Sequence, residues 1–313
     1  MSAARRSSAK PAFTNPFELP GKWYKGNFHC HTRTSDGGVW VEDAVRMYRG
    51  RGYNVLAVTD HINTNDISGL SDKKMLVING AEVHPPFHQR VNPNVEYHIC
   101  AIGLKHGHAF PRKMWRNVQD CLDHIHKSGA VAIIAHPKDV SLDPVTEMVG
   151  LKHVAAVEVW TSLSEIDMDN GCAEEEWAEC MEHGMFLTAT GSDDAHWAQR
   201  HGWSEAFGAW TMLKMPSLTE ANVLKSLRTG ACYASGGPTI TDFRVVDGQA
   251  IVKCSPVTRI HFKYGRDERK NRWAKLDRTI RGFTAEVSGW EWVRVVVVDA
   301  ENRKAWTNPI PVR

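Results

Sequence analysis

The fold is indicated most directly by the stretch Asn54-Val-Leu-Ala-Val-Thr-Asp-His61. A short and almost wholly apolar run of this kind is typical of a strand buried on both faces of a parallel sheet. The run ends at Asp60 and His61, which are costly to bury without partners. A second stretch, Val131-Ala-Ile-Ile-Ala-His136-Pro137, has the same form. We therefore expect buried parallel strands whose carboxyl ends carry metal-binding side chains.

Strand and helix patterns alternate from about residue 23 to residue 237. Apolar runs predict strands at residues 26–30, 54–59, 75–79, 97–103, 131–135, 154–161, 185–190 and 207–213. Apolar residues at helical spacing predict helices at residues 41–51, 115–128, 172–183 and 218–229. This alternation favours an α/β barrel or an open doubly wound sheet.

The pattern changes at Ser235-Gly-Gly-Pro238, after which only strands are predicted, at residues 240–246, 250–254, 259–264, 279–286 and 292–299. We therefore predict three regions: a flexible N-terminal arm (1–22), a metal-binding barrel domain (23–237) and a small, sandwich-like C-terminal β domain (238–313). The tail tryptophans are expected to pack in the core of the β domain, with a recognition face for carbohydrate or a partner as the alternative. They are Trp273, Trp290, Trp292 and Trp306.

Composition excludes several classes of function. The chain has 313 residues, a hydrophobic fraction of 42% and a formal net charge of only +2. We see no basic stripe with interleaved aromatic residues, so we expect no nucleic acid partner. No apolar run approaches the roughly 20 residues of a membrane span, and the N-terminus lacks the apolar core of a secretory signal.

The seven cysteines are scattered without a C-x-x-C pair, which predicts free thiols in a reducing cytoplasm.

Metal-binding side chains recur at the ends of the predicted strands. His29 and His31 are two residues apart, so on a strand both face the same side. The other candidates are Asp36, His61, Glu82, His98, His136, Asp194 and His196, with Asp193 as an alternative to Asp194. Histidine and carboxylate without thiolate form a ligand set that suits a hydrolytic cluster of divalent ions. Because the carboxyl ends of parallel strands converge, we expect these residues to meet.

Neighbouring residues are given supporting roles. We expect Asp60 to accept a hydrogen bond from the His61 ring and so fix its tautomer. His84 lies in a Pro-rich loop, where a position at the rim or in solvent is expected. For His98, a buried structural histidine is an alternative to a ligand. Lys138 either supplies positive charge to an anionic substrate or is a solvated loop lysine.

Taken in order, these residues resemble the PHP (polymerase and histidinol phosphatase) superfamily of metal-dependent phosphoesterases. The matching stretches are His29-x-His31-Thr-x-x-Ser-Asp36-Gly, Thr-Asp60-His61, Gly-Ala-Glu82, His98, Ala-His136-Pro and Gly-Ser-Asp-Asp194-Ala-His196, within residues 25–237. The resemblance implies a distorted seven-stranded β/α barrel with two or three divalent ions (Zn, Mn or Fe) at the carboxyl ends of its strands. The all-β tail resembles that of the CehA/McbA-type branch. The family motif is often Gly-Ser-Asp-x-His, and the extra residue here leaves open which aspartate binds metal, although the D-x-H spacing favours Asp194.

The resemblance also implies a division of the ligands. His29, His31, Glu82 and Asp194 would hold one part of the cluster, and Asp36, His61, His98, His136 and His196 would complete it. We assign catalytic roles to Asp36, His61 and His196, and contacts with an anionic small-molecule substrate to Lys138 and Arg33.

The predicted function is hydrolysis of a small phosphate ester by attack of metal-bound hydroxide. Hydrolysis of a carbamate, amide or carboxylic ester at the same site is the first alternative. A non-catalytic protein that binds its partner through the β domain is the second.

Overall fold

The computed structural model describes residues 12–85, 97–198, 202 and 204–312. Within these residues, the part before Pro238 contains nine strands and five α-helices, together with short 3-10 helices at Pro16–Glu18 and Arg112–Trp115 and a π-helix at Pro144–Met148. The strands are β1 (Lys22–Asn27), β2 (Val55–Val58), β3 (Leu76–Val83), β4 (Ile99–Ile102), β5 (Val131–Ile134), β6 (Val154–Thr161), β7 (Thr188–Ser192), β8 (Trp210–Met215) and β9 (Cys232–Ser235). The helices are α1 (Val41–Gly50), α2 (Val118–Lys127), α3 (Ser162–Met168), α4 (Glu174–Glu182) and α5 (Glu220–Thr229).

Four of the helices follow the sequence pattern. The apolar face predicted for α1 is buried, and α2 begins where the Asn117 side chain accepts a hydrogen bond from the Asp120 N–H. Helix α5 begins at the cap residue Thr219 and ends at Gly230, whose φ of 69° is a left-handed conformation that favours glycine. Helix α3 was not predicted, because it follows β6 directly without a loop signal.

The N-terminal strands form one mixed sheet. Strands β1, β2 and β3 are parallel, as are β5, β6 and β7, and β4 joins the two groups by antiparallel pairing with both β3 and β5. Strand β8 pairs antiparallel with β1, and β9 with β8. The carboxyl ends of the parallel strands therefore lie at one edge, as the sequence predicts.

The predicted seven-stranded barrel is not confirmed, because the described residues show no closed barrel. Along the hydrogen-bonded path, β7 is a terminal strand and does not form a ladder with β8. The two strands instead meet through the Thr211 hydroxyl, which accepts from the Gly191 N–H at 3.0 Å and donates to the Gly191 carbonyl at 3.1 Å. A side chain, rather than a backbone ladder, thus links these two strands.

The C-terminal strands form two layers. Strands β10 (Ile240–Val246), β11 (Gln249–Val257) and β14 (Ile280–Glu286) make a separate three-stranded sheet. Strands β12 (Arg259–Tyr264), β13 (Glu268–Trp273), β15 (Trp292–Val298), β16 (Lys304–Thr307) and β17 (Ile310–Pro311) extend the large sheet, because β16 pairs with β9. Apolar residues from both layers pack between them. The arrangement is sandwich-like, but one of its layers is continuous with the N-terminal sheet.

The tail tryptophans do not share one environment. Trp306 and Trp292 are buried and Trp290 packs beside them. The two buried rings belong to the apolar cluster of the N-terminal part, with Val157 and Trp177, rather than to the core between the two C-terminal layers. Trp273 is the exception, because 62% of it is exposed. It ends β13, a strand that was not predicted because its Glu-Arg-Lys-Asn-Arg sequence has no apolar alternation.

Two buried contacts join the early and late parts of the chain. The Asn308 side chain accepts from the Ala189 N–H of β7 at 2.8 Å and donates to the carbonyls of Gly230 and Cys232, each at 3.1 Å. The second contact is the Glu174 cluster, which we define as Glu174, Lys263, Arg294 and Trp306. The Glu174 carboxylate accepts from Arg294 Nη1 and Trp306 Nε1, each at 3.0 Å, and from Lys263.

The segment assigned to an N-terminal arm is described from Ala12 onward. The Thr14 N–H donates to the Thr229 carbonyl, and the Asn15 side chain donates to the Phe243 carbonyl at 2.9 Å. Residues 1–11 lie outside the described residues, so flexibility there stays a prediction. Among the described helices, none is long and apolar enough to cross a membrane.

Candidate metal centre

The chain brings its nine predicted ligands together in one cluster, which we call the metal-centre cluster. After β1 the chain stays extended, so His29 and His31 point into the cluster while Cys30 packs in the core behind them. His29 Nε2 and His31 Nε2 both lie 3.1 Å from Asp194 Oδ1. The H-x-H pair thus offers two imidazoles on one face.

Glu82 lies at the middle of the cluster and is buried. Its Oε1 is 2.8 Å from His98 Nδ1 and 3.3 Å from His136 Nε2. Its Oε2 is 2.9 Å from His61 Nδ1 and 3.4 Å from His31 Nε2. Glu82 would thus be able to supply its two oxygens to different parts of a cation site.

The outer part of the cluster is open to solvent. The Asp36 side chain is 53% exposed, and its Oδ2 lies 3.2 Å from His61 Nε2 and 3.4 Å from His196 Nε2. The His31 ring lies stacked against that of His196, with centroids 4.0 Å apart. The side chains of His61 and His196 are 27% and 22% exposed, so solvent reaches them and Asp36 more readily than it reaches the buried ligands.

The two neighbouring aspartates have separate surroundings. The carboxylate of Asp193 accepts from the Tyr48 hydroxyl at 2.7 Å and from the backbone N–H groups of Phe207 and Ala209. Burial raises the pKa of Asp193 to about 7. Asp194 has a φ of 55° and turns its carboxylate into the cluster instead. The structure thus brings Asp194 to the other ligands and leaves Asp193 among backbone donors.

The role predicted for Asp60 is wrong. Its carboxylate accepts from Thr32 N at 2.8 Å, Thr32 Oγ1 at 2.7 Å, Ser35 N at 3.0 Å and Asn65 Nδ2 at 2.7 Å, rather than from the His61 ring. Asp60 therefore fixes the tight loop that carries Asp36. The sequence could not show this, because the aspartate lies next to one ligand in the chain but bonds to the loop of another.

Glu158 contacts two of the ligand residues, and the sequence did not predict this role. Its Oε1 lies 3.1 Å from His29 Nδ1, and its Oε2 accepts from the His136 N–H and from Thr161 Oγ1, each at 3.0 Å. The first contact directs His29 Nε2 toward the cluster. The second holds His136 in a left-handed backbone conformation, with φ of 26°. The signal in the sequence was a lone carboxylate within the apolar strand Val154–Thr161.

His84, expected at the rim or in solvent, also joins the cluster. Its Nε2 is 3.0 Å from His61 Nδ1 and 3.4 Å from Glu82 Oε2. Its ring lies against that of His98, with centroids 4.2 Å apart. The two-residue spacing from Glu82 on an extended chain, which places both side chains on one face, was the available signal.

The two predicted substrate contacts lie outside the cluster. Arg33 is exposed; its Nε donates to the Gly38 carbonyl and its guanidinium is 5.4 Å from the Trp40 ring centroid. Lys138 is exposed on the turn after His136. Within the described residues, no hydrogen bond or ion pair joins either cation to a cluster side chain.

Carboxylates and imidazoles in the cluster shift each other's pKa values. Burial acts to lower the pKa of His61, but Asp36 and Glu82 outweigh it and raise that pKa to about 10. In the same way, Asp36 and Asp194 overcome burial and raise the pKa of His196 to about 9. Against the opposing effect of burial, the imidazoles hold the pKa values of Glu82 and Asp194 well below their usual range.

The donor set fits divalent cations. Several buried atoms of the cluster make no hydrogen bond within the described residues, namely His29 Nε2, both ring nitrogens of His31, His136 Nδ1 and Asp194 Oδ1. Five of the thirteen buried polar atoms that lack a hydrogen bond within the described residues thus lie in this one cluster, and such a concentration calls for an ion or water to meet them. Groups with donor atoms within 4.8 Å of one another include His31/Asp36/His61/His196, His29/His31/Asp194 and His29/Glu82/His136. Nitrogen and oxygen donors of this kind suit Zn, Mn or Fe.

Among solved structures, the chain is similar to a two-domain protein containing a predicted PHP-like metal-dependent phosphoesterase from Bacteroides vulgatus. The two chains are 17% identical, the match covers 99% of this chain and 100% of the other, and the TM-score is 0.53. At this identity the likeness shows the fold alone. This chain therefore shares the fold of that two-domain protein, while the division into regions at residue 237 and the CehA/McbA-type branch stay predictions.

Two further structures match a smaller share of the chain. A candidate metal-dependent phosphoesterase from Bifidobacterium adolescentis is 14% identical, with 55% of this chain and 87% of the other covered and a TM-score of 0.41. An amidohydrolase from Chromobacterium violaceum, with bound sulfate and no metal, is 16% identical, with 55% and 87% covered and a TM-score of 0.39. No family model and no curated protein matches the chain. The function has therefore to be inferred from the site.

Proposed function

We propose that the chain is a metal-dependent hydrolase whose substrate is a small phosphate ester. One observation carries the proposal: nine ligand residues from distant parts of the sequence converge, and several of their buried polar atoms have no hydrogen-bond partner within the described residues. Structural histidines in a protein interior are normally bonded. Unbonded nitrogens and oxygens aimed at one another are the arrangement expected of a cation site.

The cluster has a buried side, which would bind the cations, and a solvent-exposed side, which would contact the substrate. His29, His31, Glu82 and Asp194 are buried and form a rigid set of donors. Divalent ions held there would acidify a water molecule and stabilise negative charge on the attacking and leaving oxygens. More than one donor group is present, and a pair of ions suits the displacement at phosphorus, which favours a phosphate ester.

We assign the catalytic positions to Asp36, His61 and His196 on the open side. Asp36 contacts both imidazoles and so orients their Nε2 atoms. An imidazole that no cation engages can pass its Nε2 proton to a leaving oxygen only after that N–H turns away from Asp36. Arg33 and Lys138 stay proposals as contacts for an anionic substrate; Arg33 lies on the loop that carries Asp36.

The proposed cofactor is two or three Zn, Mn or Fe ions. We also propose a reducing, cytoplasmic setting, since all seven cysteines have free thiols and most of these are buried.

The test is metal analysis of the purified protein, followed by three matched substrates: an aryl phosphate, an aryl carbamate and an aryl carboxylic ester, each with added Mn or Zn. We expect at least two ions per chain and hydrolysis of the phosphate that a chelator abolishes. Hydrolysis of the carbamate or carboxylic ester alone would replace the substrate class with the first alternative. A protein that binds no divalent ion would overturn the proposal altogether.

A further inference from the structure

We propose that the exposed face of the β12–β13 hairpin binds single-stranded nucleic acid. The first reason is charge segregation. Residues 259–281 contain nine basic and three acidic side chains, a net charge of +6. Since the whole chain carries +2, the remaining residues carry −4. The expectation of no nucleic acid partner rests on the small net charge and on the lack of an evident basic stripe with aromatic residues, and the net charge conceals this segregation.

The hairpin presents much of this charge at the edge of the large sheet. Strand β13 is the terminal strand beside β12, and all six of its residues are exposed. Opposed residues of an antiparallel pair share a face. On one face, Arg259, His261 and Lys263 of β12 therefore lie opposite Trp273, Asn271 and Arg269 of β13. This face combines cations with aromatic rings.

Trp273 is the centre of this face. The Arg259 guanidinium lies 5.5 Å from its ring centroid and the His261 ring 5.8 Å away. A cleft of about 590 Å³ opens beside Trp273 and is also lined by Arg259, Lys275, Leu276 and Arg278. This volume falls within the range of small-ligand sites. An exposed indole with three cations around it matches a base that stacks while its phosphates meet arginine and lysine.

Single-stranded nucleic acid fits these groups better than other anionic partners. A duplex hides the faces of its bases, so Trp273 would have nothing to stack on. An anionic lipid surface would use the charge and the Leu276 side chain, which is 89% exposed, but not the in-register pairing of Trp273 with Arg259. Lys263 contacts Glu174, so the cations left for phosphates on this surface are Arg259, Arg269, Lys275 and Arg278.

The experiment is fluorescence anisotropy of a labelled 12-nucleotide oligothymidine with the full-length protein. EDTA is present so that cleavage at the metal centre plays no part. We expect binding that weakens with salt and that Trp273→Ala reduces roughly tenfold, because loss of one stacked base costs about that much. Trp273→Phe should recover most of the affinity. Lys275→Glu/Arg278→Glu should also weaken binding and flatten its dependence on salt, by about 0.7 in logarithmic slope for each phosphate that is no longer neutralised.

The matched control is Arg46→Glu/Lys225→Glu, which makes the same change in charge at exposed positions away from the hairpin. Equal effects of the two double variants would show attraction by net charge alone and overturn the proposal. So would binding that is unchanged in Trp273→Ala. Vesicles of phosphatidylcholine and phosphatidylserine form a second arm, and retention on them without oligothymidine binding would make the hairpin a lipid contact instead.

Discussion

The metal-centre cluster and the Glu174 cluster both bury carboxylates among positive or protonatable groups, but they differ in how completely their carboxylates and rings are bonded. In the Glu174 cluster, one oxygen accepts from Arg294 and Lys263 and the other from Trp306. In the metal-centre cluster, His29 Nε2, both ring nitrogens of His31 and His136 Nδ1 make no hydrogen bond within the described residues.

The two clusters therefore differ in the number of unbonded donors, since in the Glu174 cluster only Arg294 Nε lacks a hydrogen bond within the described residues. A buried carboxylate whose oxygens are all bonded joins two parts of a fold, and adding a ligand would break its bonds. A buried group of unbonded donors costs stability unless a cation meets them. Burial and charge alone would not have told the two clusters apart.

The largest expected effect is on the metal-centre cluster. His31→Ala removes a donor that two of the cation groups share, so metal content and hydrolysis should fall together. The loss should exceed the roughly 10–100-fold typical of an outer hydrogen-bond partner. Metal analysis and initial rates measure it, with thermal unfolding to confirm the fold. His153→Ala, at a histidine outside the cluster, is the control, and full activity in His31→Ala would contradict the assignment.

The second-largest expected effect is a loss of folding stability with no change in metal content. Glu174→Ala leaves the buried Arg294 guanidinium without its carboxylate, which should cost about 3–5 kcal/mol of unfolding free energy. Urea unfolding measures this cost, and metal content should stay at the wild-type level. Glu175→Ala, at the exposed neighbouring position, should change little. Equal losses in both variants would mean that the Glu174 cluster has no special role.

Asp193 and Asp194 are adjacent in the chain, and they test the same difference between a hydrogen-bonded carboxylate and a metal ligand. Asp193→Asn puts an amide where Tyr48 and two backbone N–H groups donate, so it should destabilise the fold by about 1–3 kcal/mol. Asp194→Asn should reduce metal content while the metal-free protein unfolds as the wild type does. The reverse pattern would show that Asp193 is the ligand.

The smallest effect is on the pH dependence of stability. Although burial acts to raise it, Arg294 and Lys263 hold the pKa of Glu174 well below its ordinary value of 4.5. A depressed carboxyl pKa gives stability that is complete above the unfolded pKa and is lost as pH falls through the folded one. Below about pH 4.5, Glu174→Gln should therefore lose stability less steeply than the wild type in urea unfolding. Parallel curves would contradict the assigned pKa shift.

The sequence predicted the strands of the fold better than their pairing. Apolar runs located β2, β5 and β6 because both faces of these strands are buried. Such a run does not encode direction, so the antiparallel insertion of β4 and the missing ladder between β7 and β8 could not be foreseen. Strand β13 was missed because an exposed edge strand needs no apolar face.

Residues of the candidate site could be predicted where a metal-binding residue type directly follows a predicted strand. His29, His31, Glu82 and His136 could be named because a polar residue closing an apolar run is unusual. Glu158 was hidden because its partners come from two other segments. Asp60 was misassigned because neighbours in sequence need not be neighbours in space.

The hydrogen bonds of Asn308 have a consequence for the order in which the nascent chain folds. Its side chain bonds to β7 and to the residues around β9, and so completes strands that were synthesised more than seventy residues earlier. On the ribosome, the strand that leads into Asp194 would wait for a residue that is translated 119 positions after Ala189. We expect the ligand site to mature late, which arrested chains ending before and after residue 308 would reveal by their resistance to protease.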